Sequence, residues 1–215
     1  MNQQKVRALI FDMDGVLVST DIYHTKAWIG LGEKYGFPTP ENIGDLVRGV
    51  GRMDALEIAI SESGREFTDE EKQEMATYKN DLFLEYVSAM TEADVSEDVR
   101  KTLATLREKG YLLAVGSSSK NTGKILGLCN LTDAFDQIAD GTMIENSKPA
   151  PDIFLKAAEL LGVDPKDCAV VEDANSGVAA AKAAGMLAVA VGDAKTGPEW
   201  DVAINYFSGL LHIFG

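Results

Sequence analysis

Apolar and polar positions change period twice along the 215 residues. Residues 6–11 are nearly all apolar, as in a strand covered on both faces. Gly15 marks a turn, and for roughly 75 residues beyond it the apolar positions recur at helical spacing. A first helix carries Tyr23, Ala27, Trp28, Leu31 and Tyr35, with Thr20 as its N-cap and Gly36 and Pro38 ending it. A short segment at 43–47 leads into Arg48-Gly49-Val50-Gly51-Arg52, a glycine-punctuated turn with two cations, and a helix comes next over 53–63. Thr68 and Glu71 make a capping-box pattern. It opens a long helix with Met75, Tyr78, Leu82, Tyr86 and Met90 on one face.

From Ser96 onward helix and strand alternate. Val99, Leu103 and Leu106 form a helical stripe with Gly110 at its C′ position. Residues 111–115 read as a strand, 122–128 as a helix, and the stretch through Phe135 and Ile138 as irregular. Asp152 is placed to cap a helix bearing Ile153, Ala157, Leu160 and Leu161, with a strand at 168–171 after it. Asn175 is placed to cap a helix that Gly185 ends, before a last strand at 187–191 and a short helix near Leu210. Alternation of this kind predicts an α/β fold, a doubly wound, Rossmann-like parallel sheet with helices on both faces. The helical run becomes a small inserted α-helical cap at 17–91, leaving 1–16 and 92–215 as the catalytic core.

Composition narrows the possible partners. The net charge of −14 argues against nucleic acid, whose phosphate backbone needs a cationic footprint. Small phosphorylated ligands stay compatible, because a metal ion and a few cations reverse the sign locally. No apolar run reaches membrane-spanning length, and the first residues lack a signal-peptide core, so a cytoplasmic protein without a membrane partner is expected. Cys129 and Cys168 have no metal-like spacing and read as reduced, buried thiols.

Ligands of doubly wound sheets bind beyond the carboxyl ends of the strands. Those ends deliver Asp12 and Asp14, then Ser117-Ser118-Ser119-Lys120-Asn121, then Glu172 and Asp173, with Lys148 in a rigid loop between the last two groups. Each has an ordinary structural reading: Asp-Gly turns, serine caps, a solvated acidic loop. Together at successive strand ends they describe a site. Four carboxylates this close repel one another unless a cation is present, and an oxygen-rich set suits Mg²⁺ sharing its sphere with phosphate. Lys148 and the Ser117 hydroxyl would hold the remaining phosphate oxygens. One carboxylate can then be the nucleophile and its neighbour the general acid and base.

Phe11-Asp12-Met13-Asp14-Gly15-Val16-Leu17, Ser117-Ser118-Ser119, Lys148-Pro149 and Glu172-Asp173 resemble, in order, the four motifs of the haloacid-dehalogenase-like phosphotransferases. The resemblance implies Asp12 as nucleophile, Asp14 as acid/base, and Asp12, the Asp14 carbonyl, Glu172 and Asp173 around Mg²⁺. Within that superfamily the chain is most similar to the β-phosphoglucomutases. Tyr23-His24, Ala27-Trp28, Arg48-Gly49-Val50-Gly51-Arg52, Lys79-Asn80-Asp81, Ser119-Lys120-Asn121 and residues 147–154 carry this likeness. It implies a monomer acting on β-glucose 1-phosphate, glucose 6-phosphate and β-glucose 1,6-bisphosphate. Substrate contacts would come from Ser117, Ser118, Ser119, Lys120, Asn121, Lys148, Gly49, Val50, Arg52, His24, Trp28 and Lys79. A mutase needs a second phosphate site, for which Arg52, Lys120 and Asn121 are suitable donors. His24 and Lys79 would form a pair linked to cap closure. Ser19, Gly51 and Ala55 depart from the pattern, putting in doubt a hydrogen bond near the first motif and hydroxyl contacts to the ligand. A sugar-phosphate phosphatase is the alternative, and a non-catalytic phosphosugar-binding protein a third reading that the presence of both Asp12 and Asp14 disfavours.

Overall fold

A computed structural model describes residues 5–48, 50–197 and 199–215. It divides the chain into two compact units, residues 20–89 and residues 1–19 with 90–215. The first crossing lies beyond residue 17 because Leu17 and Val18 stay with the first strand's turn. Both N–H groups donate to the Met13 carbonyl, and Gly15 N–H donates to Val18.

Among the described residues the larger unit holds six parallel strands: β1 (Ala8–Phe11), β2 (Leu112–Gly116), β3 (Gln137–Ala139), β4 (Cys168–Glu172), β5 (Leu187–Ala190) and β6 (Val202–Ala203), ordered β3-β2-β1-β4-β5-β6. β1 is central, and its register sets Phe11 beside Val115 on one side and Val171 on the other. All four of its residues are fully buried, which is why it reads as a continuous apolar run rather than an alternation. Ala8 and Ile10 share one face with Ala114, Val170, Ile153, Phe154 and Ala157. Phe11 meets Phe135 and Phe207 at 6.0 and 5.6 Å between ring centres. The strands at 137–139 and 202–203 are short edge segments; the apolar pattern reads the first as irregular and assigns the second to no element.

Among its described residues the smaller unit has four helices: α1 (Asp21–Tyr35), α2 (Ile43–Leu46), α3 (Arg52–Ile60) and α4 (Asp69–Val87). α1 ends at Gly36 in the left-handed region, φ 73°, where a glycine carries no Cβ penalty. Thr68 and Glu71 form both bonds of the capping box on α4. Thr20 makes no side-chain cap bond to α1. The fully buried stripe of α4 is Met75, Ala76, Lys79, Phe83 and Val87, so Leu82 and Tyr86 are only half-buried and Met90 lies past the helix end. Trp28, Leu31, Leu56, Ala59 and Met75 form this unit's apolar core.

The remaining helices belong to the sheet unit: α5 (Glu97–Glu108), α6 (Thr122–Leu128), α7 (Asp152–Leu161), α8 (Asn175–Ala183) and α9 (Leu210–Ile213). Asp152 and Asn175 are the first helical residues of α7 and α8 rather than side-chain caps, since Pro151 and Ala174 occupy the cap positions. Both cysteines are free and buried, and burial pushes both thiol pKa values up. Among the described residues no helix is long and apolar enough to cross a membrane.

Candidate active site

Four stretches supply the site residues at the carboxyl edge of the sheet. β1 is followed directly by Asp12, whose N–H donates to the Val171 carbonyl at 3.0 Å. β4 ends in Glu172 and continues into Asp173. The carboxylate oxygens of Asp12, Glu172 and Asp173 lie within 4.8 Å of one another, all three residues buried. Asp14 stands outside this trio. It is half-buried and its backbone bridges to Val18, which keeps it in the turn directly after Asp12.

Lys148 sits inside this acidic group. Its Nζ donates to Asp12 Oδ1 at 2.6 Å and to Glu172 Oε1 at 2.5 Å, over the Phe154 ring at 4.8 Å. Burial alone would lower the Lys148 pKa, but the charges of Asp12 and Glu172 and the two hydrogen bonds outweigh it and raise it. One buried ammonium does not balance the trio. Glu172 accordingly has a raised pKa, first from burial and then from the charge of Asp12, against the opposing pull of Lys148. Excess negative charge on converging oxygens is what a hard divalent cation neutralises, so the donor set fits Mg²⁺.

Two glycines bound this group. Gly15, at φ 76°, faces Asp173 so closely that a Cβ there would overlap the carboxylate. Gly177 in α8 faces the Glu172 carboxylate in the same way. Glu172 Oε2 accepts the Ala174 N–H at 2.9 Å, so both of its oxygens are engaged. The sequence signal for this contact is a glycine in an alanine-rich helix, five residues after a motif acid.

The loop after β2 presents Ser117 through Asn121. Ser117 N–H is tied to Ala139 at 3.1 Å, and Ser117 Oγ accepts the Ser119 N–H at 3.2 Å. Ser119 Oγ accepts the Asn121 N–H. Ser118 Oγ is buried without a hydrogen-bond partner among the described residues. A buried orphan hydroxyl costs free energy unless something binds it, and here it stands in a turn built of successive N–H and hydroxyl groups, suited to an anion.

The helical unit contains the other sequence candidates as a second group. His24 Nδ1 lies 2.7 Å from Lys79 Nζ. The imidazole stacks on Phe83 at 4.0 Å, and Lys79 lies over the Trp28 ring at 4.6 Å. Burial, then the charges of Lys79 and Arg52, lowers the His24 pKa to about 3. The imidazole is therefore neutral, with Nδ1 accepting from the ammonium and the proton assigned to Nε2. The Arg52 guanidinium donates to Asn80 Oδ1 at 2.8 Å, a partnership the sequence motif contained without revealing. Val50 is half-buried near the start of α3, and Gly49 lies outside the described residues. Of the departures, Ser19 is exposed, Gly51 is the N-cap of α3, and Ala55 is packed in the apolar helical core, where a hydroxyl would be desolvated.

Residues 6–185 match the sequence profile of the haloacid dehalogenase-like hydrolases. The chain is similar to the β-phosphoglucomutase of Bacillus subtilis, with 36% identity over 207 residues, covering 95% of this chain and 92% of the relative. It is also similar to the phosphorylated carbohydrates phosphatase of Thermotoga maritima, with 32% identity over 184 residues, covering 84% of this chain and 82% of the relative. The crystal structure of a β-phosphoglucomutase from Clostridium difficile superposes with a TM-score of 0.88 at 31% identity, covering 95% of this chain and 93% of that one.

Proposed function

The chain belongs to the haloacid dehalogenase-like hydrolases, and from that premise we propose that it is a Mg²⁺-dependent mutase interconverting β-D-glucose 1-phosphate and glucose 6-phosphate. Asp12 is the phosphoryl carrier. Its carboxylate attacks phosphorus, the bond from phosphorus to the sugar oxygen breaks, and Asp14 gives that oxygen a proton. In the other direction phospho-Asp12 yields its phosphoryl group to a sugar hydroxyl while Asp14 takes the hydroxyl proton. Transfer to the second hydroxyl makes β-glucose 1,6-bisphosphate, which turns and returns the other phosphate to Asp12. Lys148, Ser117 and Ser118 bind the transferring phosphoryl oxygens, with Ser119 in the same turn. Asp12, the Asp14 carbonyl, Asp173 and Glu172 would hold Mg²⁺, which supplies charge neutralisation between carboxylate and phosphate when bound.

The observation that carries the mutase over the phosphatase is Arg52, a half-buried guanidinium oriented by Asn80. Hydrolysis of a phosphate monoester needs one phosphate site. A bisphosphate intermediate needs a second, and Arg52, Lys120 and Asn121 are the donors assigned to it, with Val50 and Gly49 flanking. The half-buried His24 and the buried Lys79 are the pair assigned to cap closure, which keeps water from the phosphoenzyme, and the buried Trp28 is assigned to substrate contact. The relatives include sugar phosphatases as well as mutases, so product identity is the test. Incubation with β-glucose 1-phosphate, Mg²⁺ and a trace of bisphosphate yields glucose 6-phosphate on this reading. Free glucose and inorganic phosphate as the main products would replace it with the phosphatase.

A further inference from the structure

We propose that Gly177 is a positioning residue for phosphoryl transfer: its missing side chain is the space in which the Glu172 carboxylate is held, and through Glu172 it sets Lys148 against Asp12. The chain of contact is short. Gly177 is the third residue of α8, in the turn directly after β4. A Cβ built on it would overlap Glu172 Oε1 and Cδ and lie 2.6 Å from Cγ, so no small adjustment of the carboxylate alone relieves the collision. Glu172 cannot withdraw elsewhere. It is 1% exposed, its backbone pairs in register with Ala190 of β5, and its Oε2 is bonded to the Ala174 N–H. The oxygen that would be displaced, Oε1, is the one that accepts from Lys148, and the same ammonium donates to Asp12. A shift of Glu172 thus moves the cation that neutralises the nucleophile.

Local propensity runs the other way, which makes the idea testable. Glycine in a helix is less stable than alanine, and Ala179, Ala180 and Ala181 lie just beyond it in the same helix. Alanine at 177 would suit α8. Only the carboxylate opposes it.

The reading rests on phosphoryl transfer at Asp12 and not on the sugar acceptor, so the assay uses an aryl phosphate that either a mutase or a phosphatase would cleave. Gly177→Ala is made in the parent and in a Glu172→Ala background, and kcat, KM and thermal midpoint are measured for all four proteins. In the parent, Gly177→Ala lowers kcat by about 100-fold, the scale of an ångström-sized misplacement, with KM little changed and a lower midpoint. In the Glu172→Ala background the same substitution changes kcat by less than about twofold, the limit of additivity for uncoupled sites, and raises the midpoint. If Gly177→Ala alone does not fold, the midpoint change between Glu172→Ala and the double variant decides: a rise supports the proposal and a fall overturns it. Equal effects in both backgrounds, or unchanged activity in the parent background, also overturn it. A failed mutase assay alongside the predicted cycle would overturn the sugar acceptor and leave this role standing.

Discussion

Replacing Lys148 with methionine removes the ammonium bonded to both Asp12 and Glu172 while keeping a flexible apolar stem. The residue is 8% exposed and Glu172 1%, so solvent does little to compensate. Deleting one partner of a buried ion pair costs about 3–5 kcal/mol, because the other charge is left uncompensated. Here two carboxylates are left facing each other. They relieve the cost by taking up a proton, as the already raised pKa of Glu172 indicates. A carboxyl with a raised folded pKa is comfortable at low pH and penalised as pH rises through that value. The loss should therefore be near about 3–5 kcal/mol at alkaline pH and smaller in mild acid, by up to about 1.4 kcal/mol for each pH unit in which one group is protonated only in the folded state. Urea unfolding of parent and variant in a metal chelator, at about pH 8 and about pH 5, measures both numbers. A variant within about 0.5 kcal/mol of the parent at the higher pH, the range of an ordinary surface change, would refute the reasoning. So would a deficit that grows toward acid. Phosphorylation of Asp12 should slow by about 10²–10³-fold, as for loss of one charge-stabilising donor.

His24 provides a second pH signature. Its folded pKa is about 3, against about 6.5 in an unfolded chain, so the unfolded state binds an extra proton between those values. Stability should fall as pH drops from about 6.5 toward 3, by up to about 1.4 kcal/mol per unit. His24→Gln should flatten that component, and an unchanged slope in urea melts would count against a buried neutral imidazole. Gly15→Ala adds a Cβ at φ 76° that overlaps the Asp173 carboxylate. The left-handed backbone alone costs about 1–2 kcal/mol, and the Mg²⁺ concentration needed for half-activation should rise by about tenfold or more. An unaltered Mg²⁺ titration would remove Asp173 from the metal site. Arg52→Ala should reduce mutase turnover far more than aryl phosphate hydrolysis, and equal losses would contradict a second phosphate site.

The parts of the fold legible in the sequence are those where local chemistry and tertiary packing agree. β1 is apolar because both faces are covered, and the Thr68–Glu71 capping box needs nothing beyond four residues. Strands 137–139 and 202–203 escaped because an edge strand of two or three residues has too few positions to show a period. Thr20, Asp152 and Asn175 carry good capping chemistry, but Thr20 holds the α1 cap position without a side-chain cap bond, and the turns before α7 and α8 place the cap one residue ahead of Asp152 and Asn175. In α4 the helical period leaves several stripes to choose from. Burial selected the one containing Lys79, which hydropathy would send to solvent, and His24 and Trp28 are the reason it stays. At the sheet edge the residue types were readable from the few positions just beyond each strand. That Lys148 would bridge two acids was not, because the bridge joins side chains 136 and 24 positions apart, and the surroundings of Ser118 and Gly177 depend on how neighbouring side chains are placed in the folded chain rather than on residue type alone.

The most direct test tracks the phosphoryl group itself. Protein charged with labelled phosphate from β-glucose 1,6-bisphosphate is isolated, the label is located, and unlabelled β-glucose 1-phosphate is added with Mg²⁺. The account predicts label on Asp12, absent in Asp12→Ala, that moves into the sugar phosphate pool on addition of substrate. Label that never becomes covalent, or that leaves as inorganic phosphate with no transfer to sugar, would contradict it.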